Sequence, residues 1–173
     1  MTDNLVRKAA VASRPFEISR TFDAPREEVW RAFTDPERMR QWFTPKGFIA
    51  KTATMDLRPG GICHYSLQSP DGQEMWGKAV YREISAPERL VWVNSFSDPQ
   101  GGITRHPMAP SWPLQMLTTL TLTERGGKTT LHVRWEPIDP TDEERSTFDG
   151  GHESMRQGWT GTLDQLQEFL AGA

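Results

Sequence analysis

The stretch that decides the fold is residues 139–170, DPTDEERSTFDGGHESMRQGWTGTLDQLQEFL. Pro140 suits a first-turn position, and Thr141 with Glu144 has capping-box spacing. Phe148, Met155, Trp159, Leu163, Leu166 and Leu170 follow at steps of three, four or seven, which places them on one stripe. The spacing predicts one long amphipathic helix over roughly 141–170. At 1.5 Å per residue it is a rod of about 45 Å, which must lie across a sheet. Four glycines, Gly150, Gly151, Gly158 and Gly161, each cost about 1 kcal/mol against Ala inside a helix. Packing of the stripe must therefore hold the helix. Gly150-Gly151 is a place where a first short turn can split off. Gly158 and Gly161 read first as close helix–sheet contact, and otherwise as space left for a bound molecule.

Upstream the pattern is strand-like. Phe16 to Asp23 alternates, with Phe16, Ile18, Arg20 and Phe22 on one face. Arg20 is expected to snorkel or pair, the alternative being an anionic ligand. Ala24-Pro25 opens a short helix bearing Val29, Trp30 and Phe33. Thr34-Asp35-Pro36 breaks it, and a second helix carries Met39, Trp42 and Phe43. From Phe48 onward strands and turns follow closely: 48–57, 62–68, 74–84, 89–96 and 114–123, then Thr129, Leu131, Val133 and Trp135 alternating inward. The turns at Arg58-Pro59-Gly60-Gly61, Ser69-Pro70-Asp71-Gly72 and Arg125-Gly126-Gly127-Lys128 are short, so neighbouring strands are antiparallel. On the strand 114–123, Leu114, Met116, Thr118, Leu120 and Leu122 share one face. Residues 97–113, rich in Pro and Gly, have no period and form a long loop. It reads as a variable insertion or as a lid over a cavity.

Composition narrows the function. A chain of 173 residues fits one domain, with 1–14 a loose polar tail and 15–173 the folded unit. The net charge of −3, with signs interspersed, argues against a nucleic-acid face. Cys63 is the only cysteine, so there is neither an internal disulfide nor a cysteine-built zinc cluster. No apolar run spans a membrane and no secretory core opens the chain, so a cytoplasmic protein is expected. Seven Trp and seven Met suggest wide, adaptable apolar surfaces.

The order strand, two helices, six-stranded meander, long helix is the helix-grip arrangement, an α+β fold in which a curved antiparallel sheet wraps a long C-terminal helix. The sequence resembles the START-like SRPBCC superfamily, and within it the activator of heat-shock protein 90 ATPase homologue (AHSA) family. The resemblance rests on Arg20-Thr21-Phe22-Asp23-Ala24-Pro25 with Val29-Trp30, and on Thr34-Asp35-Pro36-Glu37 to Trp42-Phe43. It continues in Asp56-Leu57-Arg58-Pro59-Gly60-Gly61, Pro70-Asp71-Gly72, Trp76-Gly77, Tyr81-Arg82-Glu83-Ile84, Pro87-Glu88-Arg89-Leu90-Val91 and Gly158-Trp159 to Leu166. It covers about 15–171 and implies a cavity between sheet and helix for small apolar or amphipathic molecules. A separate N-terminal domain, as in the eukaryotic co-chaperones, has no room here.

Catalytic signals are weak. His64, His106, His132 and His152 lie on different elements, and His152-Glu153 lacks the second His of a zinc-protease motif. No metal site, cofactor or catalytic set is expected. Cys63 and His64 are strand neighbours and point to opposite faces. The expected pocket residues are Trp42, Phe43, His64, Trp76, Trp92, Asn94, Phe96, Met116, Met155 and Trp159. Plain core packing is the simpler reading of any one of them. Together they form an apolar wall with a few polar tips, the usual form of a small-molecule site. Strand phase in 74–84 and 89–96 is open, and a slip of one residue flips every side chain. Three functions follow: a binding protein for a small hydrophobic or aromatic molecule; a polyketide cyclase or hydratase-like enzyme using His64 or Glu153 as acid or base; and a chaperone-regulating module. Dimerisation through a sheet edge or the long loop stays open.

Overall fold

The computed structural model describes residues 13–172. All but Ser13 and Arg14 of the expected tail lies outside the described residues. Arg14 is tied down: its N–H donates to Asp149 Oδ1 at 3.1 Å, and its carbonyl meets His152 Nε2 at 3.0 Å.

The elements are β1 (Phe16–Phe22), α1 (Arg26–Thr34), α2 (Pro36–Met39), β2 (Ile49–Met55), β3 (Ile62–Gln68), β4 (Glu74–Ser85), β5 (Arg89–Ser97), β6 (Ile103–Thr104), β7 (Met116–Arg125), β8 (Lys128–Pro137), α3 (Asp142–Gly150) and α4 (His152–Ala171). The sheet order is β1-β8-β7-β5-β4-β3-β2, and every pair is antiparallel. Short turns enforce this. In the β7–β8 hairpin Gly126 and Gly127 both have positive φ, 59° and 74°, as a two-residue turn that follows the strand twist requires. The fold is the helix grip.

Three expectations need correction. The final rod is two helices, and the split falls at the Gly150-Gly151 pair. Gly151 sits at φ −98°, ψ 6°, closing α3 and opening α4. Its N–H bonds to Phe148 O, a tighter step than the regular ladder, and the helix is interrupted there. The capping box of Thr141 and Glu144 forms as the spacing predicts, but it starts α3. Helix α4 alone has 20 residues, about 30 Å. The long loop is not wholly aperiodic either. Its first part folds into a hairpin, with Ser97 opposite Ile103 and Phe96 opposite Thr104. Leu114, expected on the inner face of β7, precedes that strand and is exposed.

The solid core lies beneath β1, β8 and β7. Met155, Trp159, Leu163 and Leu166 of α4 are buried in the same cluster as Phe16, Ile18, Phe22, Leu120, Leu122, Leu131 and Val133. Each such side chain contributes about 1.5–3 kcal/mol. At its outer edge Arg20 pairs with Asp164 of α4 at 2.5 Å, so this arginine serves the helix–sheet seam.

Candidate functional site

Toward β3, β4 and β5 the core does not fill. A hollow of about 660 Å³ lies between the sheet and α4. Its floor alternates along the strands: Cys63, Tyr65 and Leu67 on β3; Gly77, Ala79 and Tyr81 on β4; Trp92, Asn94 and Phe96 on β5. Met155, Gly158, Trp159 and Thr162 of α4 form its roof. A Cβ built on Gly158 or on Gly161 meets no atom within 4 Å. The expected close contact of helix and sheet is therefore absent at both glycines, and at Gly158 the missing side chain leaves room in the hollow.

One side wall is the elbow after β1. Trp42 is fully buried and donates its indole N–H to Ala32 O at 3.0 Å. Its ring meets Phe33 and Phe43 edge-on, and Phe43 in turn meets Tyr65. The Gln165 amide of α4 donates to the carbonyls of Trp42 and Thr44, which ties roof to elbow.

The opposite wall comes from the long loop, through His106, Ala109, Trp112, Pro113 and Leu114. Three contacts hold it on α3. Arg105 Nη1 reaches Glu144 Oε1 at 2.9 Å, Thr147 Oγ1 donates to Ser111 Oγ at 2.9 Å, and Trp112 packs on Phe148 with centroids 6.0 Å apart. Glu144 is 7% exposed and also closes the Thr141 capping box, so one carboxylate serves both the helix start and the loop.

Eight of the ten expected pocket residues border the hollow: Phe43, Trp92, Asn94, Phe96, Met116, Met155 and Trp159 from its inner side, and Trp76 only from the outward phase of β4, its ring stacked on His64. Trp42 and His64 do not. Trp42 is spent on packing the elbow. His64 lies on the far face of the sheet, where its ring stacks on Trp76 at 4.8 Å and Nε2 meets Ser97 Oγ and Asp98 O. The physical reason is the strand alternation that already separates it from Cys63. Sequence reasoning missed Tyr65, Tyr81, His106, Trp112 and Trp135. For β3 a signal existed: Cys63, Tyr65 and Leu67 are the apolar phase, while His64, Ser66 and Gln68 are the polar one.

The chemistry of the walls is muted. Burial pushes the Cys63 thiol up to about 11, with a Tyr81 hydrogen bond acting the other way, so the thiol is protonated at neutral pH. Burial also raises the phenols of Tyr65 and Tyr81. His106 is held below its ordinary value by burial. The Met108 N–H donates to its Nδ1 at 3.1 Å, so the ring proton sits on Nε2. Among the described residues no group of three or more His, Cys, Asp or Glu could hold a metal ion. No helix among them is long and apolar enough to cross a membrane.

The family model described as Activator of Hsp90 ATPase homolog 1-like protein matches residues 23–171. The chain belongs to this family. No curated protein matches it. A solved protein from Chromobacterium violaceum is 27% identical with a TM-score of 0.70, over 90% of this chain and 96% of that one. A solution structure from Arthrobacter aurescens has a TM-score of 0.76 at 24% identity, over 92% and 87%. The AHSA1 protein from Silicibacter pomeroyi has 0.67 at 18%, over 91% and 98%. The last two likenesses concern the fold alone.

Proposed function

We propose that this AHSA-family chain binds a small, largely apolar molecule in the hollow between its sheet and α4. One observation carries the reading: space of about 660 Å³ stands where a core would otherwise close, within the ~300–1,000 Å³ usual for small-molecule sites. An empty apolar space of that size is costly, since its lining forgoes dispersion contacts that an occupant would restore. The roof leaves Gly158 bare, and the loop wall is fastened to α3 instead of folding in to fill the gap.

The test is a titration with N-phenyl-1-naphthylamine, whose emission rises in apolar surroundings. Saturable one-to-one enhancement is the expected result, reversed by ligands drawn from a broad apolar panel. A flat titration and an empty panel count against the reading.

The enzyme reading loses the version built on His64 and Glu153. His64 is on the far face of the sheet and Glu153 is exposed, and neither lines the hollow. The family's description carries a second reading, contact with a heat-shock chaperone whose ATPase is stimulated. An ATPase assay with saturating protein decides it: an unchanged rate removes the chaperone role.

A further inference from the structure

The hollow carries no charge. None of its lining residues is Asp, Glu, Lys or Arg, and its one histidine, His106, is half-buried. An ionised ligand group placed there loses its hydration and gains no countercharge, which is expensive in an apolar site. The walls do hold polar groups, and their unmet capacity is for donation. Asn94 Oδ1 already accepts from Thr118 Oγ1 at 2.6 Å, which leaves its amide N–H groups without a partner among the described residues. His106 has its acceptor nitrogen occupied by the Met108 N–H, so Nε2–H remains. Tyr65 is half-buried, and no hydrogen bond of its hydroxyl is found among the described residues.

Register brings these donors together. Tyr65, Gly77 and Phe96 form one cross-strand row, and the His106 ring rests on Phe96 at 4.6 Å. Asn94 is two residues along β5 from Phe96 and on the same face. The Tyr65 ring and hydroxyl lie over Gly77 of β4, the strand between β3 and β5. The indole Nε1 of Trp159, a wall residue only 7% exposed, is likewise buried without a partner. A wall of unmet donors and no charge selects a neutral acceptor.

Resting on the ligand-binding reading above, we infer that the occupant is an uncharged aromatic molecule bearing a neutral hydrogen-bond acceptor, such as an aryl ketone, and that the hollow rejects carboxylates of the same shape. The ring fits the aromatic walls, and the carbonyl meets the donors of Tyr65, Asn94 and His106.

Three probes with one skeleton test this by calorimetry: 2-acetylnaphthalene, 2-ethylnaphthalene and 2-naphthoate. The ketone is expected to bind tightest. The hydrocarbon, which leaves buried donors unpaired, is expected about tenfold weaker, and the carboxylate weaker than both. Tyr65→Phe and His106→Phe are expected to shrink the ratio of ketone to hydrocarbon affinity. Naphthoate binding as tightly as the ketone, or ketone and hydrocarbon binding equally, overturns this inference and leaves the ligand-binding reading standing. Failure of all three to bind overturns both.

Discussion

The phenol end of Tyr65 lies directly over Gly77, its cross-strand partner, so closely that a methyl group on Gly77 would collide with Cζ, Oη and Cε2 of the ring. Glycine is required here for the close approach, and the tyrosine covers the backbone it leaves bare. The pair forms part of the hollow's floor.

Gly77→Ala therefore displaces the Tyr65 ring upward into the hollow. Overpacking of this kind costs about 1–3 kcal/mol, read as a drop in unfolding temperature, with ligand affinity falling alongside it. In a Tyr65→Ala background the same substitution has no ring to displace and costs less. Equal costs in the two backgrounds would mean the contact is not what constrains Gly77.

The roof glycines behave in the opposite way. A Cβ at Gly158 or Gly161 meets nothing within 4 Å. Gly158→Ala and Gly161→Ala are expected to raise stability, each by about 0.5–1 kcal/mol, because glycine weakens a helix interior. Denaturant unfolding measures this. A loss of stability at either position would restore the close helix–sheet contact that the spacing suggested.

Much of this architecture was legible in residue order. The capping box, the strand alternation, the two-glycine hairpin and the stripe on α4 are local patterns, and local physics fixes them. The break between α3 and α4 was visible only as a weak point, because whether two glycines bend a helix depends on what packs around them. The site was harder to read. His64 sits in the polar phase of β3, which argues against a wall position, and Trp42 is ambiguous because an aromatic at an elbow looks the same in sequence whether it packs or lines a hollow. The loop that carries His106 and Trp112 is held at the site by long-range contacts, among them Arg105–Glu144 and Ser111–Thr147, which join residues 39 and 36 positions apart. No period records such pairings.

Those contacts give a third expectation. Glu144→Ala leaves the Thr141 cap in place but removes the acceptor of the Thr141 N–H and the buried partner of Arg105. The lost capping-box hydrogen bond alone is worth about 1 kcal/mol. Arg105→Ala removes only a half-exposed cation and costs under about 1 kcal/mol. Amide exchange across 105–114 should quicken in both variants, with the larger loss of unfolding temperature in Glu144→Ala. Unchanged exchange would show that the loop is held by its apolar contacts alone.

Cys63 sets a pH dependence. Its folded pKa, about 11, exceeds its ordinary value of 9.0, so the folded chain holds the proton longer than the unfolded one. The thiol then costs no stability below pH 9, and stability falls as pH rises from 9 toward 11, by up to about 2–3 kcal/mol. The raised phenols of Tyr65 and Tyr81 act in the same direction above pH 10. Cys63→Ala should flatten the slope between pH 9 and 10. The native thiol should also react with a soluble maleimide far more slowly than the unfolded one. Rapid labelling of the folded protein at pH 8 would contradict its burial.

The central claim is that the space beneath α4 holds a molecule, and filling that space tests it most directly. Calorimetry with 2-acetylnaphthalene on the wild-type chain and on Gly158→Phe, which directs a ring into the hollow from its roof, compares an open site with a plugged one at a matched unfolding temperature. The account predicts one-to-one binding with a negative heat-capacity change for the wild type and its loss in the variant. Absence of binding to the wild type, or equal affinity in both, would contradict it.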